Sequence, residues 1–245
     1  MPRRPHGEET AAKQAAEEAL EIYPVAHIEN DFKEKFGIPN QSGITEGMES
    51  RVVFEEGFRD PLALRGIDGF SHIWLIWEFS ANKARGFSPT VRPPALGGNE
   101  RMGVFATRSP NRPNPLGMSS VRLVRAVTEG PEAPYLVVAG ADLMDGTPIY
   151  DIKPYIRRDC HPEAHEGFNS VQRPRLTVSF LQGGEGLDAL SPEDSERVRE
   201  VLSFDPRPAY QNDPERVYGM RYGAYNYRFK IDGTSLTLIS AERVE

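Results

Sequence analysis

Two arginines, three prolines and four small polar side chains fall in nine consecutive residues, Thr107-Arg-Ser-Pro-Asn-Arg-Pro-Asn-Pro115. Arg108 and Arg112 carry charged forks suited to carboxylates and phosphates. Thr107, Ser109, Asn111 and Asn114 add small donors and acceptors, and each proline fixes its own φ and biases the residue before it toward extended geometry. A loop so stiffened loses little conformational entropy when a ligand arrives. It can read an adenine edge or a phosphate, or it can be a rigid turn joining two strands of a barrel. Val104 to Ala106, just before it, reads as a short strand.

A second cluster lies downstream. Asp142, Asp145, Asp151 and Lys153 fall within twelve residues around an Asp-Gly turn. Turn chemistry explains Asp145, whereas Asp142 and Asp151 are freer to act. His72 and Glu78 interrupt the apolar run Gly69 to Phe79, and His72 reads either as a hydrogen-bonded core histidine or as a proton acceptor. Cys160, His161 and His165 fit no zinc spacing, so no metal is expected.

Something must position these groups. The chain has 22 glycines and 21 prolines with short β-branched and aromatic runs between them, a pattern of strands and irregular loops. Its single cysteine excludes an internal disulfide framework and fits a reducing compartment. No run of eighteen apolar residues and no signal-peptide core occurs, so a cytoplasmic location without membrane contact is expected. Net charge is −7, but from Lys83 to Arg125 eight basic residues face one acidic one, a local +7 against −14 elsewhere. Such segregation is the footprint of an anionic ligand held at one place.

Read in order, residues 1–20 suggest an accessory helix, and Ile22 to Ile28 a first strand. A long loop from Asp31 to Ile44 follows, in which Phe32, Phe36, Ile38 and Ile44 argue for order. Further strands are expected over Arg51–Phe54, Gly69–Phe79, Ser120–Val127 and Tyr135–Leu143, with a short capped helix from Asp60. The composition of residues 158–174 is that of a linker. Residues 175–245 read as a small α+β unit whose tyrosines Tyr218, Tyr222, Tyr225 and Tyr227, interleaved with arginines, suit stacking on unpaired bases or a plain core.

Several segments together resemble one family. Phe70-Ser-His-Ile-Trp74, Val91-Arg-Pro-Pro94, Arg101 to Ser119, Asp142 to Ile149 and Asp151-Ile-Lys-Pro-Tyr155 are similar to the TsaA-like (YaeB-like) family, whose bacterial members include a tRNA adenosine-37 N6-methyltransferase. Asp205-Pro-Arg-Pro208 resembles the bacterial C-terminal extension. The resemblance implies a mainly β protein: a single antiparallel β-barrel over residues 21–157 plus a small C-terminal α+β domain that contacts tRNA. It implies bound S-adenosylmethionine, a homodimer, and N6-threonylcarbamoyladenosine beside a tRNA anticodon as substrate. Cofactor contacts carried over by motif are Ser42, Gly43, Ile44, Ser80, Ala81, Arg108, Met118, Ala139, Gly140, Ala141 and Asp142. The first loop departs from the family's more usual Pro-Gly at Ser42-Gly43. Substrate contacts are expected from Arg112, Asn114, Lys153, Arg207 and Tyr218. The proton on N6 must leave during transfer, and Asp142, Asp145 and His72 all remain open as its acceptor. No Gly-x-Gly-x-x-Gly follows a first strand, so a Rossmann methyltransferase is not supported. A cofactor-sensing RNA-binding barrel and a small-molecule methyltransferase are the alternative readings.

Overall fold

The computed structural model describes residues 20–39, 42–43, 47–81, 86–170, 174–207 and 211–244. The expected N-terminal helix and Ile44 lie outside the described residues. Strands β1 (Ala26–Glu29), β2 (Glu49–Phe54) and β3 (His72–Glu78) come first, then the two-residue strands β4 (Thr90–Val91) and β5 (Met102–Gly103). After them come β6 (Leu116–Val127), β7 (Tyr135–Ala139) and β8 (Pro148–Pro154). Six of these close into a barrel in the order β1-β2-β7-β6-β3-β8, every pairing antiparallel.

Alternation explains the wall. In β3, Ile73, Leu75 and Trp77 are buried while His72, Trp74, Ile76 and Glu78 are half-buried. Period-two burial is what one face of a pleated strand produces. The apolar density of Gly69 to Phe79 therefore belongs to a barrel-wall strand with one inward face. β6 and β7 pair as an antiparallel hairpin. Asp60 caps a single 3-10 turn, Pro61–Leu64, by accepting the Leu62 N–H at 2.9 Å.

Several expectations need correction: β7 ends at Ala139 rather than Leu143, and β6 begins at Leu116 rather than Ser120. The first strand starts at Ala26 rather than Ile22; Pro24 has no N–H to give to a ladder. Val104–Ala106 is a 3-10 turn, not a strand. The Val104 carbonyl is occupied by the Thr107 N–H at 3.1 Å and the Thr107 hydroxyl at 2.8 Å, which curls the segment away from any ladder.

Beyond the barrel come β9 (Thr177–Phe180), helix α1 (Pro192–Ser203), β10 (Tyr218–Tyr222), β11 (Tyr225–Asp232) and β12 (Ser235–Arg243). The sheet runs β10-β11-β12-β9, with β9 parallel to β12 and the rest antiparallel. Ser191 caps α1 by accepting the Asp194 N–H at 3.0 Å, and Pro192 sits at the first helical position, where no donor is needed. Val198, Val201 and Leu202 on one stripe of α1 pack onto the sheet. Among the described residues no helix is long and apolar enough to cross a membrane.

Burial divides into two cores. One fills the barrel; the other lies between the C-terminal sheet and α1. The long loop between β1 and β2 joins the second: Phe32 and Met48 are buried there, with Phe36 and Ile38 packed against it. Phe32 meets Tyr222 at 5.2 Å between ring centroids, and Phe36 stacks on Tyr218 and Phe229 at 6.4 and 6.5 Å. Both tryptophans lie in β3, so tryptophan emission reports on the barrel. Phe32→Ala is expected to cost about 3–5 kcal/mol, with the C-terminal core lost first. Urea unfolding followed by far-UV circular dichroism should then precede unfolding followed by tryptophan emission.

Candidate active site

At one end of the barrel wall a cavity of about 480 Å³ opens between β3, β6, the proline-rich loop, the β7–β8 connection and the long first loop. Its size suits a small-molecule ligand. The β3 end supplies Trp77 and Glu78, and Phe79, Ser80 and Ala81 continue past it. The start of β6 supplies Leu116, Gly117 and Met118. Opposite stand Thr107, Arg108 and Arg112, and Asp142, Met144, Lys35, Ile38 and Pro39 complete the lining with Thr147.

Asp142 is the largely buried charge of the site. The Trp77 Nε1–H donates to Ser119 Oγ at 2.9 Å, and the Ser119 hydroxyl donates to Asp142 Oδ1 at 2.6 Å. The backbone N–H groups of Ser42 and of Asp142 itself also donate to the carboxylate, and Arg108 attracts it. Burial outweighs these and pushes the carboxyl above its ordinary range. Gly117 makes room for this relay, since a Cβ there would lie 2.5 Å from the Trp77 ring.

The proline-rich loop is tied to itself. Ser109 N–H donates to Thr107 Oγ1 at 3.2 Å and Asn111 N–H to Ser109 Oγ at 3.3 Å. The Arg112 guanidinium donates to the Thr107 and Val104 carbonyls at 2.7 and 3.4 Å. Arg112 thus braces the loop as well as lining the cavity. Its charge lies 5.7 Å from the ring centre of Phe105, which is 74% exposed.

The structure separates the three candidate bases. Asp142 lines the cavity; Asp145 and His72 do not. Asp145 accepts the Asn30 N–H at 2.9 Å and pairs with Lys33 at 2.7 Å, which pins the entry of the long first loop. His72 shares a 2.9 Å hydrogen bond with Ser71 and packs beside Tyr155 on the half-buried side of β3. Among the expected cofactor residues, Ser80, Ala81, Arg108, Met118 and Asp142 line the cavity together. Ala139, Gly140 and Ala141 are buried and do not line it. Gly140, at φ +76°, accepts the Gly43 N–H at 2.8 Å, and a Cβ there would sit 3.0 Å from Gly43 Cα. Only glycine allows this approach.

The expected substrate residues scatter. Arg112 lines the cavity, whereas Asn114 is exposed beside it and Lys153 pairs with Asp151 at 2.7 Å along β8. Arg207 makes a two-pronged contact with Asp205 at 2.8 and 2.9 Å. Tyr218 is only 4% exposed and its ring packs against both Phe36 and Phe229. That burial corrects the expectation of a base-stacking role for Tyr218. Tyr222 and Tyr227 are likewise core, and burial pushes both hydroxyls well above the usual phenol range.

Sequence reasoning gave no role in the site to Lys35, Glu78 or Ser119. Ser119 lay in a motif whose hydroxyls give no hint of partner. Glu78, which accepts the Tyr150 hydroxyl at 2.9 Å, carries one usable signal: a lone carboxylate ending an apolar strand. Among the described residues no group of three His, Cys, Asp or Glu is placed to hold a metal ion.

Fold and cavity define a closed β-barrel with a small-ligand site that presents both signs of charge, Asp142 and Glu78 against Lys35, Arg108 and Arg112. Comparison with known proteins gives the family. The tRNA-methyltransferase O N-terminal domain matches residues 27–160 and the TrmO C-terminal domain matches residues 175–244. A tRNA (adenine(37)-N6)-methyltransferase of Escherichia coli (strain K12) is 37% identical over 232 residues, covering 91% of this chain and 98% of its own length. One from Eikenella corrodens is 44% identical over 173 residues, covering 70% and 96%. The crystal structure of TrmO from Pseudomonas aeruginosa superposes with a TM-score of 0.70 at 29% identity, over 91% of this chain and 98% of that one. The chain belongs to the TrmO family.

The raised pKa of Asp142 has a stability consequence. The native state keeps this proton where the unfolded chain, near the ordinary value of 3.8, has lost it. That contribution is present at low pH and is lost as the pH rises from 3.8 to the folded value. Relative to an Asp142→Asn variant, the native protein should therefore become less stable across that interval and level off above it. Urea midpoints from pH 3.5 to 8 check this.

Proposed function

We propose that this chain transfers a methyl group from S-adenosylmethionine to N6 of adenosine 37 in tRNA, with N6-threonylcarbamoyladenosine as the nucleoside modified. Support for the cofactor comes from the cavity's donor set: a buried carboxylate, nearby guanidiniums and an aromatic wall in which Trp77 and Phe79 lie 4.4 Å apart edge to face. Bound S-adenosylmethionine supplies an electrophilic methyl group, so neither a metal nor a covalent nucleophile is needed. Asp142 and Arg108 would hold its charged and polar groups, with Ser80, Ala81 and Met118 around them. Positioning supplies most of the acceleration in such a displacement.

The threonyl carboxylate of the substrate adds a second anion, and Arg112 and Lys35 are the remaining cations of the lining. The N6 proton leaves to the Asp142 carboxylate. That acceptor is favoured by one observation above the others: of Asp142, Asp145 and His72, only Asp142 faces the cavity, and burial makes it a stronger base than an ordinary carboxylate. The C-terminal unit contacts the tRNA, and the protein works as a cytoplasmic homodimer, both inferred from the family resemblance; sedimentation equilibrium should give twice the chain mass.

The deciding assay is methyl transfer from labelled S-adenosylmethionine to two tRNA preparations, one carrying threonylcarbamoyladenosine and one lacking it. Label should enter only the modified tRNA and be lost in Arg108→Ala. Single-turnover rates should fall about 10²-fold or more in Asp142→Asn, and in the native enzyme should rise with pH as Asp142 ionises. Cofactor binding without label on either tRNA would overturn the enzymatic reading in favour of a cofactor sensor.

A further inference from the structure

The wall of the cavity formed by the first loop is not held by the barrel alone. Lys35, Ile38 and Pro39 line the cavity, yet the residues interleaved with them are fastened to the C-terminal sheet. Glu34 Oε1 accepts the backbone N–H of Arg221 in β10 at 2.7 Å. The Asp31 carbonyl accepts the Gly223 N–H at 2.9 Å, and the Asp31 carboxylate meets Arg197 of α1 at 3.7 Å. Phe36 stacks on Tyr218 and Phe229. Gly37, at φ +93°, seats the Met220 thioether where a Cβ would stand. A few residues further on, the Ser42 N–H reaches Asp142 and the Gly43 N–H reaches Gly140.

We propose that the C-terminal sheet is a positioning element of the cofactor site, acting through Glu34 on the loop that carries Lys35, Ile38 and the Ser42 N–H. The inference rests on the reading of the cavity as an S-adenosylmethionine site. Glu34 is the residue to test, because it does not line the cavity and its partner is a backbone donor. Such a donor needs only an oxygen acceptor, which glutamine retains and alanine lacks.

The experiment measures S-adenosylmethionine affinity by calorimetry without tRNA, together with amide exchange at Ser42 and Gly43 without cofactor. Glu34→Ala should weaken binding about three- to tenfold and speed exchange at both amides, with the thermal midpoint of tryptophan emission unchanged. Glu34→Gln should restore both to within about twofold. Unchanged affinity and exchange in Glu34→Ala would overturn the proposal. Weakened binding that Glu34→Gln fails to restore would overturn it too, since the effect would then belong to charge. If the native protein binds no cofactor, the reading of the cavity itself falls, while the exchange comparison still decides whether Glu34 orders the loop.

Discussion

A carboxylate buried against a barrel wall is expensive unless its charge is answered, and answering it organises much of this molecule. Asp142 draws the Ser119 hydroxyl from β6, through it the Trp77 indole from β3, the Ser42 N–H from the first loop and the field of Arg108 from the proline-rich loop. These groups come from separate stretches of chain, which the carboxylate holds at fixed relative positions. The incomplete compensation, visible as a carboxyl raised above its usual range, is what gives the group an appetite for a proton.

Rigidity surrounds that charge on two sides by different means. In the proline-rich loop it is local: fixed φ angles, hydroxyl-capped turns and one guanidinium folded back onto two carbonyls. In the first loop it is borrowed, through aromatic packing into a core built 140 residues and more downstream. Asp145 and Lys33 anchor the entry of that loop, and the glycine contact at Gly140 lets its far end lie flat against the barrel.

Local patterning explains what could be read beforehand. β3 was legible because five consecutive β-branched, leucine and tryptophan side chains, Ile73 to Trp77, have few uses besides a strand, and the short helix after Asp60 because capping chemistry is written in adjacent residues. Val104–Ala106 looked identical to a strand because three apolar residues carry no period. The tyrosines of β10 and β11 have one composition whether they stack on bases or fill a core, and only their neighbours decide. Phe32 and Phe36 signalled order in the first loop, but nothing nearby named their distant partners. Lys35 and Glu78 received no role in the site because a single charged residue in a loop or at a strand end is ordinary until a cavity forms around it.

The chain separation of those partners has a consequence for synthesis. Glu34 and Arg221, joined by one hydrogen bond, stand 187 residues apart, and a ribosome adding roughly 5–20 residues per second needs on the order of ten seconds or more to travel between them. The barrel strands leave first and can close on their own pairings. The first loop waits, with Phe32 and Phe36 unburied, until β10 and β11 are made. A nascent chain thus carries a finished barrel well before it carries a finished site, and exposes an aromatic surface for chaperones to cover in the interval.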